Sequence, residues 1–210
     1  MQGKHVVVTG GRGALGKGVV ELLTAKGAIV HVADRPETSL DNEAGAVAFY
    51  AALPPIWASI QLVGGFAMAP IADTSLADFE AQWKINAVTC FLSCREAIKS
   101  IRASGSGGRI VNVAARPVVA PVGGMTAYLA SKASVAAITQ GLAVELLAEN
   151  ILVNAVVPST IDTPANRASL PKADHATWPK PAELAETIVF LASPANTLTS
   201  GALVPVYGRA

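Results

Sequence analysis

Residues 5–16 read His5-Val6-Val7-Val8-Thr9-Gly10-Gly11-Arg12-Gly13-Ala14-Leu15-Gly16, and the fold turns on this stretch. A β-branched run that ends in glycines is a buried strand followed by a tight turn, and the amphipathic stretch that continues to Lys26 makes the turn the start of a helix. Gly11, Gly13 and Gly16 have the spacing G-x-G-x-x-G. Glycines so placed let the backbone approach a pyrophosphate and aim the helix N-terminus at it. Ala28 to Ala33 is a second apolar strand, and it delivers Asp34 where a carboxylate can bind a ribose 2′-hydroxyl. Gly11 to Lys17 also reads G-x-x-x-x-G-K, the start of a triphosphate loop, but Gly18 stands where a hydroxyl would hold Mg²⁺. The reading is therefore a dinucleotide site built from Gly10, Gly11, Arg12, Gly13, Ala14, Leu15, Gly16, Asp34 and Arg35.

Composition narrows what the site serves. With 210 residues and 51% hydrophobic side chains, residues 1–210 are expected to form one α/β domain. Net charge is +1, with 15% charged and 5% aromatic residues, so no basic or stacking surface asks for nucleic acid and the ligand is expected to be small. Cys90 and Cys94 lie in an apolar helical stretch with no histidine near in sequence, which suits buried thiols rather than a metal site or a disulfide. Residues 1–11 lack a signal peptide's apolar core, and no uncharged run reaches membrane-spanning length. The expectation is a cytoplasmic protein without a membrane partner.

Further along, Ala46 to Tyr50 suits a third strand, and Pro54-Pro55 blocks a long helix. Ile60 to Val63 is the next strand, running into Gly64-Gly65, whose small size admits a ribose or an adenine. Ser75 and Asp78 cap a long helix to about Arg102, within which Asn86 is expected to be exposed. A strand from Arg109 to Ala114 leads by a loop to a helix that carries Tyr128 and Lys132 and runs to about Glu149. Four residues apart, those two side chains share a helix face, and the ammonium is expected to draw the phenol pKa down towards the range of a working acid or base. Ile151 to Val157 is another strand, ending at Pro158. The proline-rich residues 160–180 read as a loop covering a substrate, Pro181 opens a helix to about Ala192, and Ala202 to Val206 closes as a strand. Strands alternating with helices define a doubly wound, Rossmann-type parallel sheet covered on both faces.

The glycine loop, Asp34 and the Tyr128/Lys132 pair together resemble the short-chain dehydrogenase/reductase family over nearly the whole chain. The resemblance implies that Tyr128 exchanges the proton, that Lys132 lowers its pKa and holds the nicotinamide ribose, and that Asn86 supports a proton relay. It implies that Thr163, between Pro158 and Pro164, touches the nicotinamide end of the cofactor. Asp34 implies NAD(H), since a carboxylate repels a 2′-phosphate, while Arg35 beside it leaves NADP(H) open. The long helices imply a homodimer or homotetramer.

Two departures qualify the resemblance. The family's catalytic serine stands thirteen residues before the tyrosine, and that position is Ala115, followed by Arg116. A substrate oxygen then loses a hydrogen-bond donor, at a cost of a few kcal/mol in the transition state, which disfavours ketone chemistry. The branch of quinonoid dihydropteridine reductases lacks this serine and is similar to the chain in its glycine loop, in Ala115-Arg116, and in Asp162-Thr163-Pro164-Ala165-Asn166-Arg167 with Leu170-Pro171, Ala173-Asp174 and Trp178. It implies hydride transfer to a conjugated imine-type ring, with Ala115, Arg116, Arg167 and Trp178 as substrate candidates; loop packing is the favoured alternative for Trp178. Competing readings are a ketone or alcohol reductase in which Thr126 or water replaces the serine, and a dinucleotide-binding protein without turnover. The second departure is the short segment from Arg35 to Ser59, expected to lack one helix between the third and fourth strands and to leave apolar sheet for Phe49, Tyr50, Ile56 and Trp57, or a partner subunit, to cover.

Overall fold

A computed structural model describes residues 1–209. Its strands are β1 (His5–Thr9), β2 (Ile29–Ala33), β3 (Ala58–Gln61), β4 (Gly108–Val113), β5 (Ile151–Pro158) and β6 (Leu203–Val206). Its α-helices are α1 (Ala14–Ala25), α2 (Glu43–Ala51), α3 (Leu76–Trp83), α4 (Thr89–Ser104), α5 (Thr126–Glu145), α6 (Pro164–Ser169) and α7 (Pro181–Ala192). The strands form one parallel sheet in the order β2-β1-β3-β4-β5-β6. The order reverses between β1 and β3, so their C-terminal ends open a crevice where such folds bind ligands.

Alternation along β1 sends its side chains to opposite layers. Val7 joins Ile101, Ile110, Leu146 and Val153 in one core, whereas Val6 and Val8 join Ile60, Val156, Leu184 and Ile188 in the other. Helices α4 and α5 cover the first face and α1 and α7 the second. β5 is buried from end to end, as a central parallel strand must be.

The segment expected to hold a third strand is helical. Ala46 to Tyr50 lies inside α2, whose N-terminus is capped by Asn42, the side-chain oxygen accepting from the Gly45 N–H at 2.9 Å. Two alanines in a short apolar run fit either state, and the cap with tertiary packing decides. Tyr50 is buried, with its hydroxyl 2.8 Å from the Ser59 hydroxyl. The helix leading into β3 is thus present; among the described residues the sheet instead lacks a strand beyond β2, which becomes an edge. Ile56 and Trp57 are buried, and the Trp57 indole N–H donates to the Ala192 carbonyl at 2.9 Å, so the sheet face is closed from within the chain.

The long helix is interrupted. Ser75 and Asp78 form the expected capping box on α3, but Lys84–Val88 is a π turn before α4 resumes. The extra residue in that turn rotates Asn86 inward, so it is 1% exposed rather than facing solvent. The helix carrying Tyr128 ends at Glu145 and is followed by a 3₁₀ turn over Leu147–Glu149. Both thiols are buried, with Cys90 Sγ 4.0 Å from Cys94 Sγ.

Candidate active site

The crevice is built first from backbone. A Cβ on Gly16 would lie 2.1 Å from the Gly10 carbonyl oxygen and 2.6 Å from Gly11 Cα, and one on Gly10, whose φ is +71°, would lie 3.0 Å from the Val63 nitrogen. Only glycine lets this turn fold flat against α1 and the end of β3. The N-terminus of α1 has no side-chain cap and no acid in its first turn, leaving N–H groups directed at the crevice. Asp34 stands immediately after β2 and accepts from the Arg12 N–H at 2.7 Å. Beside it a cleft of about 170 Å³ is lined by Asp34, Thr38, Leu40, Val63 and Ile85 among others. An anion-ready helix end, a cradle that a Cβ would fill and a carboxylate next to an apolar cleft fit the pyrophosphate, ribose and base of a dinucleotide.

Two arginines near this end are engaged elsewhere. Arg12 pairs with Glu37 at 2.7 Å, and Arg35 pairs with Asp41 at 2.6 Å, with Lys84 also 3.5 Å from Asp41. The Ser39 hydroxyl and these cations hold the Asp41 carboxyl down to about 2.

The π turn and α5 bring the polar groups together. Asn86 Oδ1 accepts from the Gly65 N–H at 3.1 Å, and its amide donates to the Gly65 carbonyl at 3.0 Å and the Ser131 hydroxyl at 3.1 Å. Ser131 donates in turn to the Tyr128 carbonyl at 2.7 Å. A Cβ on Gly64 would sit 2.8 Å from Asn86 Oδ1 and 3.1 Å from Lys132 Nζ, so the Gly64-Gly65 backbone, Asn86 and Lys132 form one packed unit.

The expected lowering of the Tyr128 pKa is not what the structure gives. Burial, as the sole cause, raises the phenol to about 12, while the Lys132 ammonium donates to the Val113 carbonyl at 2.9 Å and is itself lowered by burial to about 8. Sharing a helix face does not oblige two side chains to meet. Here Lys132 reaches to the end of β4, and the Phe66 ring lies edge-on against Tyr128 with centroids 4.9 Å apart.

The lowered lysine has a consequence for stability. The folded chain sheds this proton near pH 8 and the unfolded chain near its ordinary 10.5, so between these values the unfolded state binds more protons and stability rises with pH. Tyr128 acts oppositely, but only above pH 10. From pH 8 to 10 the unfolding free energy of the cofactor-free protein should climb relative to that of Lys132→Met, by at most about 1.4 kcal/mol per pH unit, and the thermal midpoint should rise with it. Parallel profiles for the two proteins would contradict this.

The remaining candidates divide. Ala115 is buried at the N-terminus of a 3₁₀ turn, Arg116–Val118, that packs on α5, so the family's serine position does lie beside the tyrosine helix. Arg116 stacks on Tyr207 at 4.9 Å. Pro158 ends β5 in register with Val206, and Thr163 caps α6, its hydroxyl accepting from the Asn166 N–H at 3.2 Å. Arg167 is tied to Asp162, with one N–O distance of 2.8 Å, which neutralises it in place. Trp178 is 8% exposed and packs against His175 at 4.6 Å between centroids, the arrangement of loop packing. Phe66 and Ser131 went unread in the sequence, although Phe66 directly follows the glycine pair and Ser131 is three residues beyond Tyr128, where helix geometry returns it to the same side.

A parallel sheet with a glycine-cradled crevice, and a tyrosine and a lysine beside it, is the architecture of an oxidoreductase fold with a candidate dinucleotide site. Comparison with known proteins gives the family: residues 56–208 match the model described as enoyl-(acyl carrier protein) reductase, and the chain belongs to the short-chain dehydrogenase/reductase family. It is 29% identical to 3-beta-hydroxysteroid dehydrogenase of Comamonas testosteroni over 96% of this chain and 93% of that protein. It is 31% identical to cis-4-hydroxycyclohexanecarboxylate dehydrogenase of Sinomonas cyclohexanicum, over 96% and 94% respectively. A short-chain type dehydrogenase/reductase structure from Mycobacterium ulcerans superposes with a TM-score of 0.93 at 21% identity, covering 100% of this chain and 90% of that one. The alignment with the Comamonas enzyme spans 238 positions, more than the 210 residues here, so it carries gaps opposite this chain.

Proposed function

We propose that the protein is an NAD(H)-dependent oxidoreductase that moves hydride between nicotinamide and a small conjugated organic substrate, of which a quinonoid dihydropterin is the type suggested by the sequence. The observation that carries this reading is Ala115: the turn beside the tyrosine helix offers a methyl group where ketone chemistry needs a hydroxyl. A conjugated imine spreads the incoming negative charge over its own ring and depends less on such a donor. The bound dinucleotide would supply or take the hydride; the chain's residues do the rest. Tyr128, held protonated by burial, serves as the acid in reduction. Lys132, fixed on the Val113 carbonyl, and Asn86, fixed on Gly65, hold the floor of the site. Thr163 and the Pro158 end of β5 would hold the nicotinamide end. Asp34 and the engagement of Arg12 and Arg35 by acids support NAD(H) over NADP(H).

A second reading, an alcohol or ketone reductase, is favoured by the names of the relatives and by the exposed Thr126, two residues before Tyr128. Consumption of NADH and of NADPH with a quinonoid dihydropterin, beside a panel of ketones, separates the two. Pterin turnover that prefers NADH is the expected result; ketone reduction at ordinary rates without pterin turnover would favour the second reading, and cofactor binding without any turnover would favour a non-catalytic role. We place the protein in the cytoplasm as a homodimer or homotetramer paired through α4 and α5, where Phe91 and Val144 are exposed.

A further inference from the structure

Past the C-terminal ends of the sheet, on the side of the crevice, β4 continues through Ala115 to Arg116 and β6 runs straight into Tyr207. Backbone fixes both. The Arg116 carbonyl accepts from the Val119 and Ala120 N–H groups at 3.0 and 2.9 Å. The Tyr207 carbonyl accepts from the Ser159 hydroxyl at 2.8 Å, which ties it to the end of β5. Two residues on, the Arg209 N–H donates to the Thr177 carbonyl at 2.8 Å, which ties the same segment to residues 160–180. The Arg116 guanidinium lies 4.9 Å from the centre of the Tyr207 ring, and both residues are partly buried.

Other arginines of the chain have their charge answered. Arg12, Arg35, Arg95, Arg102 and Arg167 each pair with a carboxylate, and Arg109 donates to three backbone carbonyls. Among the described residues Arg116 does neither, and the segments that hold it, 115–127 and 203–209, contain no acid. Stacking on a ring restrains a guanidinium while leaving its N–H fork to donate, and that fork matches a carboxylate in two parallel bonds. A neutral carbonyl would accept from it more weakly, since an ionised partner makes the bond about twice as strong. We propose that Arg116, positioned by Tyr207, anchors a carboxylate on the acceptor, so that the substrate is a flat conjugated ring carrying an acid group. Ala115, the residue before it, lies beside the helix of Tyr128, which sets the anchored molecule next to the acid. The inference rests on the reading of this crevice as the site of hydride transfer to a conjugated acceptor, and adds the charge of that acceptor.

The test uses flat ligands that differ in one group, pterin-6-carboxylate against its carboxamide and 2-naphthoate against 2-naphthamide, titrated calorimetrically into the full-length protein saturated with NADH. Each acid should bind about 10- to 100-fold more tightly than its amide, the worth of a charge-assisted hydrogen bond. Arg116→Gln should erase that difference with far less effect on the amides, and Arg116→Lys should restore part of it. Tyr207→Leu should narrow the difference and Tyr207→Phe, which keeps the ring, should preserve it; a packing defect would instead weaken acid and amide alike. Thermal midpoint and NADH affinity check folding, and Arg116→Met, with a stem of similar length, stands in should Arg116→Gln fail to fold. Equal binding of acid and amide by the wild type, a preference that survives Arg116→Gln, or no binding of either pair would overturn the proposal. An arginine-dependent preference in the naphthalene pair without pterin binding would end the pterin reading and uphold Arg116. Turnover by Tyr128→Phe at the wild-type rate would fail the acid reading separately.

Discussion

Replacing Tyr128 with phenylalanine is expected to lower kcat for the best acceptor by about 10²- to 10⁴-fold, the usual worth of a positioned acid or base. The ring itself packs edge-on against Phe66 and is retained in the variant, so the fold and the neighbouring wall should survive. Only the proton is removed. Titration of NADH fluorescence should therefore give the wild-type affinity while steady-state turnover collapses. Turnover that persists would move proton transfer to solvent or to the substrate itself, an arrangement open to a conjugated ring but not to a simple ketone.

Gly16→Ala should have an effect as large, on binding rather than chemistry. Its Cβ would overlap the Gly10 carbonyl oxygen and the Gly11 backbone, none of which is the movable end of a side chain, so the start of α1 must shift. Misdirecting the N–H groups that receive a pyrophosphate forfeits charge-assisted hydrogen bonds worth roughly 1.5–3 kcal/mol each, or about 10- to 100-fold in affinity for each one lost. Overpacking of the turn adds about 1–3 kcal/mol of destabilisation, which a fall in thermal midpoint would show. Gly18 is the internal control. Two residues along the same helix, its Cβ would meet only ordinary contacts at 3.8 Å and beyond, so Gly18→Ala should bind NADH as wild type does. Similar behaviour of the two variants would remove the case for a nucleotide cradle here.

What the sequence made legible was carried by local rules. Gly10 to Gly16, Asp34 at a strand end, the Ser75 and Asp78 cap, and the span of α7 each depend on a few neighbouring residues, and each stands where spacing placed it. The misreadings depend on contacts between distant parts. Ala46 to Tyr50 is short and apolar enough for either state until Asn42 and the burial of Tyr50 are considered. A regular helix would turn Asn86 outward, and the π turn that rotates it inward leaves no mark in composition. The Tyr128 and Lys132 spacing was sound, but the partner that Lys132 takes, the Val113 carbonyl, belongs to a strand almost twenty residues earlier. Burial, read from composition only as an average, is what sets both of their pKa values.

The edge position of β2 bears on how the chain behaves before and outside its function. Ile29-Val30-His31-Val32-Ala33 carries no lysine, proline or acid, the residues that blunt an open sheet edge, and one of its two hydrogen-bonding sides has no neighbouring strand. Ile29 is 46% exposed. Such a strand is a template for another chain's strand, most of all at high concentration while folding is incomplete. Shortening the crossover therefore leaves β2 with an open edge and a liability to strand addition.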